Sequence, residues 1–381
     1  MIEGLAWTLI ALIAITFAGY PLAVLALSRF APARPWHHAG TAPAHVPDIA
    51  VLICAYNEAA HLGAKLESVL AETARWPRKA AIWVADDGSS DATAAIAEGF
   101  GVHVLRLPRG GKAAALNALS ARVEGDILVL SDADPLLAPG SLNALIAPFD
   151  DPRVGAVAGE VESAKGAGGG RFDRLYRAYE SGLREAEDRL FGCVSADGGL
   201  LAIRRELMPH VPPDGTDDFH ISTAAVAAGK RIAFARHAVA IEQPIAGGRK
   251  TMRRRVRITV RGLTALWRRR GLMNPARTGG YALGLFFHKF ARRFAPVLVL
   301  PLALCAFALA LTGSAFWTLA SLAILAAAAL GFIGWFAERR LPKILRVPYL
   351  LGLHLTGLIA GVALFCWGTR YAQWTPQKSL S

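Results

Sequence analysis

Cysteine is scarce in this sequence: there are four in 381 residues, with no CxxC and no Cys/His cluster of metal-ligating spacing. That rules out a paired disulfide framework and a Cys/His metal site. Cys305 and Cys366 lie in apolar runs and Cys54 in a strand pattern, so they read as reduced core thiols. Acid is short as well: 29 Asp and Glu face 42 Lys and Arg, a net charge of +13, in a chain that is 54% hydrophobic. A soluble protein rarely combines the two. Charge is missing altogether from four stretches, residues 5–27, 294–311, 315–336 and 347–367, and the basic excess is gathered between them.

Residues 5–27 are long enough to cross a bilayer as a helix. They make a poor signal peptide, because Glu3 and no Lys or Arg precedes them and the run is too long. They read as a retained anchor. Arg29, Arg34 and the His37-His38 pair follow, which by the positive-inside rule places that end in the cytosol. A charge at mid-membrane costs roughly 2.5–3.5 kcal/mol, and the three later runs have none. Thr312-Gly313-Ser314 suits an exoplasmic turn and Glu338-Arg339-Arg340 a cytosolic one; Pro296 and Pro301 should kink the first of these runs. Four spans put both termini outside, while Arg370 and Lys378 in the tail argue for inside, so whether the last run spans or re-enters stays open. The expected division is an anchor (1–28), a cytosolic domain (47–245), basic amphipathic segments (249–293), C-terminal transmembrane helices (294–368) and a tail (369–381).

Between the apolar ends the chain alternates. "DIAVLICAY", "AAIWVADDGS", "VHVLRL" and "DILVLSDAD" read as strands, and "EAAHLGAKLESVLAE", "SDATAAIAEGF" and "KAAALNALSARV" as helices. Leu62, Leu66, Val69 and Leu70 share a face of the first, and Ser90 or Asp91 opens the second. Such alternation predicts an α/β domain with a mostly parallel sheet covered on both faces. Ligands bind beyond the carboxyl ends of such strands. Three polar clusters fall there: Tyr56-Asn57-Glu58, Asp86-Asp87-Gly88 and Asp132-Ala133-Asp134. Each alone suits a turn or a capped strand end. Carboxylates crowded on one rim repel each other unless a cation or a proton intervenes, and Mg²⁺ takes oxygen ligands and completes its shell with substrate phosphates. Together they read as a metal–diphosphate site. Lys112 follows Gly110-Gly111 at a helix N-terminus, where backbone N–H groups favour an anion. A solvated lysine is the plain alternative. This is not a Walker A loop, since Arg106 stands where its first glycine belongs and Ala113 follows the lysine.

In that order, "ICAYNE", "VADDGSSDAT", "GGKAAALNAL" and "LSDADPLL" resemble the family-2 glycosyltransferases of the GT-A fold, over residues 47–270. The apolar frame resembles the family's membrane-embedded, processive-synthase-like branch. The resemblance implies a nucleotide-sugar donor, commonly UDP-linked. Tyr56, Glu58, Asp86 and Asp87 would hold the nucleoside and Lys112 would help with the diphosphate. Asp132 and Asp134 would form the DxD motif, Asp132 touching ribose, the pair holding Mg²⁺ or Mn²⁺. "DGGLLAIRREL" resembles the segment below the acceptor pocket and "GTDDFHIS" the place of the catalytic carboxylate, where the family more often has Glu-Asp and this chain has Asp217-Asp218. Asp218 matches the general base, which takes the acceptor hydroxyl's proton within about 2.6–3.2 Å; Asp217 caps the following helix or shares the catalytic role. The family's Gln-x-x-Arg-Trp motif is degenerate here, with Arg254 for Gln, Arg257 retained and Ile258 for Trp. Loss of that Trp argues against processivity, not against transfer. Arg257 and Arg254 would neutralise the leaving diphosphate, for which guanidinium is suited.

Two stretches carry plainer readings. In "RFDRLYRAYESGLREAEDRL", Phe172, Leu175, Tyr176, Tyr179 and Leu183 recur at helical spacing, which predicts core packing, with an aromatic floor for a sugar or lipid acceptor as the alternative. In "RKTMRRRVRITVRGLTALWRRR", Arg254, Arg257 and Arg261 share one face and Val256, Val260, Leu263 and Trp267 the other, a pattern for a helix on the membrane surface. His288, Lys289, Arg292 and Arg293 fit an interfacial segment. The positive charge therefore needs no nucleic acid, which would ask for exposed aromatics among the basic residues of a soluble domain. The expected function is an inverting transferase at the cytoplasmic membrane, multi-pass, its catalytic domain in the cytosol. Its partners would be a nucleotide-sugar donor, a saccharide or lipid acceptor, the bilayer and polysaccharide-export proteins. A polyprenyl-phosphate or glycolipid single-sugar transferase is one alternative; a non-catalytic nucleotide-binding membrane subunit is another.

Overall fold

The structure is a computed structural model that describes residues 1–164, 171–242, 248–337 and 341–371. The glycine-rich stretch 166–170, the Glu338-Arg339-Arg340 turn and Lys378 of the tail lie outside the described residues. The chain forms two compact units. Of the described residues, one unit comprises those within 1–23, 248–266 and 285–371, the other those within 24–242 and 267–284.

The second unit is built on one eight-stranded sheet. Its strands are β1 (Ile49–Ala55), β2 (Ala80–Asp87), β3 (His103–Leu107), β4 (Ile127–Asp132), β5 (Leu136–Leu137), β6 (Val154–Ser163), β7 (Leu201–Arg204) and β8 (Arg231–Glu242). Their order in space is β3-β2-β1-β4-β7-β6-β8-β5. β1 lies at the heart of the parallel part, between β2 and β4, and all seven of its residues are buried. That is why it reads as an unbroken apolar run rather than an alternation. Each fully buried Ile, Leu or Val there contributes roughly 1.5–3 kcal/mol. The Ala59–Thr73 helix covers this core with Leu62, Leu66 and Val69.

Register brings the polar clusters together. Ala55 pairs with Asp86 and Cys54 with Asp132, so β1, β2 and β4 end at one level. β7 runs antiparallel to both neighbours, β4 and β6, and β8 runs parallel to β6. The reversal carries the loop that enters β7 to the same rim.

The first unit is helical. An N-terminal helix, Ile2–Ala14, continues through a π-turn into Tyr20–Ser28. Ala6 and Leu9 pack with Cys305, Ala306 and Trp317, and Trp7 stacks on Phe316 at 5.7 Å. Among the described residues, four helical stretches are long and apolar enough to cross a membrane: Ile2–Ser28, Gly280–Ala310, Ala315–Gly334 and Pro348–Cys366. Leu304, Leu319 and Phe332 on them are exposed.

Candidate active site

The rim begins where β1 stops. Asn57 takes φ +54°, a left-handed conformation that asparagine tolerates. In that pose its N–H donates to Ser89 Oγ at 2.9 Å and its Oδ1 accepts from Ser90 N–H at 2.8 Å. The Glu58 N–H donates to Thr93 Oγ1 at 2.9 Å. The turns after β1 and β2 are therefore laced into one wall. Burial pushes the Glu58 carboxyl up to about 7, helped by the nearby charges of Asp134, Asp132 and Asp91.

Asp86 and Asp87 end β2, both buried. Asp86 Oδ1 accepts from Ser89 N–H at 3.2 Å. Asp87 pins the glycine loop. Gly110 N–H donates to its Oδ1 at 2.7 Å, Gly111 N–H to its Oδ2 at 2.9 Å, and the Arg109 guanidinium pairs with it. Gly88 has φ +73°, and a Cβ there would meet Arg109 N at 2.8 Å, so only glycine lets the two loops approach. Arg109 also lies over the Tyr56 ring, 3.5 Å from its centroid. Tyr56, Asp87 and Arg109 form one stacked, charge-paired corner.

Lys112 opens the Lys112–Ser120 helix after Gly111, whose φ is +88°. Its ammonium is paired with two carboxylates, Asp132 Oδ1 at 2.5 Å and Asp217 Oδ2 at 2.6 Å. Asp132 ends β4; burial pushes its carboxyl up, while Lys112 pulls it back. Asp134 is exposed two residues on. Gly198 leaves room for Asp132, since a Cβ there would sit 3.1 Å from Asp132 Oδ2. Asp217 and Asp218 open the Asp217–Ala227 helix, whose dipole favours them. Asp218 Oδ1 accepts from Phe219 N–H at 2.7 Å. Burial pushes the Asp218 carboxyl up to about 7, with Asp217 and then Asp197 adding repulsion. A small cavity is lined by Cys54, Lys112, Asp132, Gly198, Asp217 and Asp218, among others.

The donor set fits a hard divalent ion in one way. Among the described residues no three His, Cys, Asp or Glu side chains form a cage by themselves. Asp132 and Asp134 offer oxygen, and their charge already disfavours ionisation of Glu58. Asp132 and Asp134 are the carboxylates that would hold a divalent ion such as Mg²⁺ or Mn²⁺, whose charge would relieve that repulsion.

Residues 50–209 match the family model described as glycosyl transferase family 2. This chain carries a family-2 glycosyltransferase domain. Its fold is GT-A, an α/β sheet in which β3, β2, β1 and β4 run parallel, and it is a transferase enzyme. The chain is 29% identical, over 123 residues, to an N-acetylglucosaminyltransferase of Rhizobium leguminosarum bv. trifolii, a match covering 30% of this chain and 68% of that protein. It is 33% identical over 133 residues to the beta-monoglucosyldiacylglycerol synthase of Trichormus variabilis, covering 33% of this chain and 28% of the synthase, so it spans less than a third of that relative's length. Among solved structures, it resembles the mannosyltransferase of Pyrobaculum calidifontis in complex with GDP-Man and Mn²⁺, with a TM-score of 0.71 and 25% identity, covering 97% of this chain and 99% of that one.

The structure thus brings Tyr56, Glu58, Asp86, Asp87, Lys112, Asp132, Asp134, Asp217 and Asp218 into one unit of the chain, most of them linked through shared neighbours. Arg254 and Arg257 lie on the Gly248–Arg268 helix in the other unit. Burial holds the Arg257 guanidinium below its usual range, as do Arg261 and Arg254, four residues after and three before it on the same helix face.

One expectation is corrected. On the Arg171–Leu190 helix, Leu175, Tyr176 and Tyr179 are not core; they are 59%, 48% and 36% exposed, and only Leu183 of that set is seen buried, the Phe172 side chain lying outside the described ones. The inward face is taken by polar groups. Arg177 donates to the Val161 carbonyl at 3.1 Å, Ser181 to Glu160, and Arg184 pairs with Asp197 at 3.0 Å.

Sequence reasoning gave no role to Arg109, Asp197 or Lys65. Arg109 abuts Gly110-Gly111 and Asp197 abuts Gly198-Gly199, and a charge beside paired glycines was the available signal. Lys65 offered only its place on an apolar helix face.

Proposed function

We propose that this chain is an inverting glycosyltransferase of the cytoplasmic membrane, of the membrane-embedded branch with a degenerate Gln-x-x-Arg-Trp motif. It transfers a sugar from a nucleotide-sugar donor, UDP-linked, to a polysaccharide or lipid-linked acceptor. One observation carries the reading: Lys112 ties Asp132, of the donor-side motif, to Asp217, which adjoins the raised carboxyl of Asp218. Donor-side and acceptor-side chemistry thereby meet at a single ammonium.

Asp132 and Asp134 would hold Mg²⁺ or Mn²⁺, which when bound neutralises charge on the departing diphosphate. Asp218 accepts the acceptor hydroxyl's proton as the new C1–O bond forms and the C1–O bond to the diphosphate breaks. A carboxyl titrating near 7 is matched to that task. Asp217 keeps Lys112 oriented. Arg29 and Arg34 beside the first apolar helix support a cytosolic catalytic domain.

The test is turnover of UDP-, GDP- and dTDP-sugars by purified protein with and without Mn²⁺, with the product isolated. Asp218→Asn should lose about 10²–10⁴-fold in turnover, the usual worth of a general base, yet retain donor binding. Full turnover by that variant refutes the base assignment.

A second reading concerns the acceptor. Exposed Leu175, Tyr176 and Tyr179, the absent Trp at Ile258 and the likeness to a diacylglycerol-glucoside synthase all favour a lipid acceptor, a polyprenyl phosphate or a glycolipid, receiving one sugar. Long polymer on a gel would instead favour a synthase with export partners. Donor binding with no turnover over many acceptors would favour a non-catalytic subunit.

A further inference from the structure

One lysine sits where helical periodicity asks for an apolar residue. Lys65 shares the sheet-facing side of the Ala59–Thr73 helix with Leu62, Leu66 and Val69, and like them it is fully buried. A buried ammonium loses its hydration at a cost of several kcal/mol, so its donors must be answered within the protein. Nζ donates to Ser131 Oγ at 2.6 Å and to the Pro135 carbonyl at 2.6 Å. Those two residues bracket Asp132-Ala133-Asp134 on either side. Ser131 Oγ in turn donates to the Gly199 carbonyl at 2.6 Å, next to the Gly198 that accommodates Asp132. Pro135 has no N–H, so its carbonyl is the backbone handle at that end of the turn. Burial holds the Lys65 amine down to about 7, against the pull of Asp132 and Asp134.

A side chain retained for packing alone gains nothing from the charge, since an apolar residue of similar length is often as stable or more so in such a place. No apolar residue, however, joins the end of β4 to the carbonyl beyond the turn. We infer that Lys65 is a positioning residue for the transfer reaction: its two hydrogen bonds fix the shape of the Asp132-Ala133-Asp134 turn on which divalent-ion and diphosphate binding depend. The inference rests on the proposed reading of Asp132 and Asp134 as the ion-holding pair.

The experiment compares full-length wild type, Lys65→Met and Ser131→Ala. Mn²⁺ binding is titrated by electron paramagnetic resonance with UDP or GDP present, beside melting curves and donor KM and kcat. Lys65→Met should melt cooperatively yet bind Mn²⁺ with nucleotide at least about tenfold more weakly, the range seen when a residue orienting a metal-binding carboxylate is lost. Its donor KM should rise more than kcat falls, and Ser131→Ala should move the same way by a smaller factor. A folded Lys65→Met that binds Mn²⁺ and nucleotide as tightly as wild type overturns the inference. If Lys65→Met does not fold, Ser131→Ala decides, and unchanged affinity there overturns it too. Wild type that binds neither ion nor nucleotide sinks the functional reading itself, and the two failures are thereby told apart.

Discussion

Asp218 titrates near pH 7 because burial and two neighbouring carboxylates oppose its charge. As the base of the proposed reaction it would work deprotonated, so kcat/KM should rise with pH and level off above about 7, a limb that disappears in Asp218→Asn. The stability effect has the opposite sense. A carboxyl whose folded value lies above its unfolded value of 3.8 contributes stability that is full below 3.8 and is lost as pH rises through about 7. Asp218→Asn should therefore raise Tm relative to wild type at pH 8 by more than at pH 5. Roughly 2–4 °C corresponds to about 1 kcal/mol in a domain of this size, and calorimetry at both pH values checks it. Lys112 answers two carboxylates at once. Removing one side of such a pair typically costs about 3–5 kcal/mol, so Lys112→Met should lower stability strongly at pH 8. The loss should shrink near pH 4, where the stranded carboxylates protonate.

Among the elements, the Arg171–Leu190 helix separates packing from contact. Leu183 is buried, and Leu183→Ala should cost about 2–5 kcal/mol in denaturant unfolding. Tyr176 and Tyr179 are exposed, so Tyr176→Ala and Tyr179→Ala should each stay within about 0.5 kcal/mol of wild type. If this face meets the acceptor, acceptor KM rises in both while donor KM does not. The same helix marks how far the sequence was legible. β1 and β4 could be read because a strand buried on both faces is an unbroken apolar run, and their ends then followed from the Asp and Glu clusters. Helical spacing alone could not tell which face of residues 171–190 turns inward, because Arg177, Ser181 and Arg184 pack against polar partners on β6 and beside Gly198. Lys65 escaped notice for the mirrored reason: a charge on an apolar stripe reads as an edge residue, and its acceptors lie 66 and 70 positions away.

Beside the sheet unit the chain carries a helical unit that holds the arginine-rich Gly248–Arg268 helix and most of the four apolar stretches long enough to cross a membrane. Extraction from membranes should need detergent and resist alkaline carbonate. The expected topology puts the turn at Thr312-Gly313-Ser314 on the exoplasmic side of the membrane. Ser314→Cys, in a chain also bearing Cys366→Ser to remove an exposed thiol, should react with an impermeant maleimide in intact cells. Cytosol-only labelling contradicts that topology.

β7 has a consequence for how such an enzyme changes its customers. Were that strand turned the other way, its entrance would open at the opposite edge of the sheet, and Asp197 through Gly199 would lie far from Asp132. Because it is turned, the Asp197–Gly199 segment, from the later half of the chain, reaches the rim where Asp132 ends β4. On the proposed reading, exchanging that segment and the Asp217 turn should alter acceptor choice while β1, β2 and β4 keep their alignment.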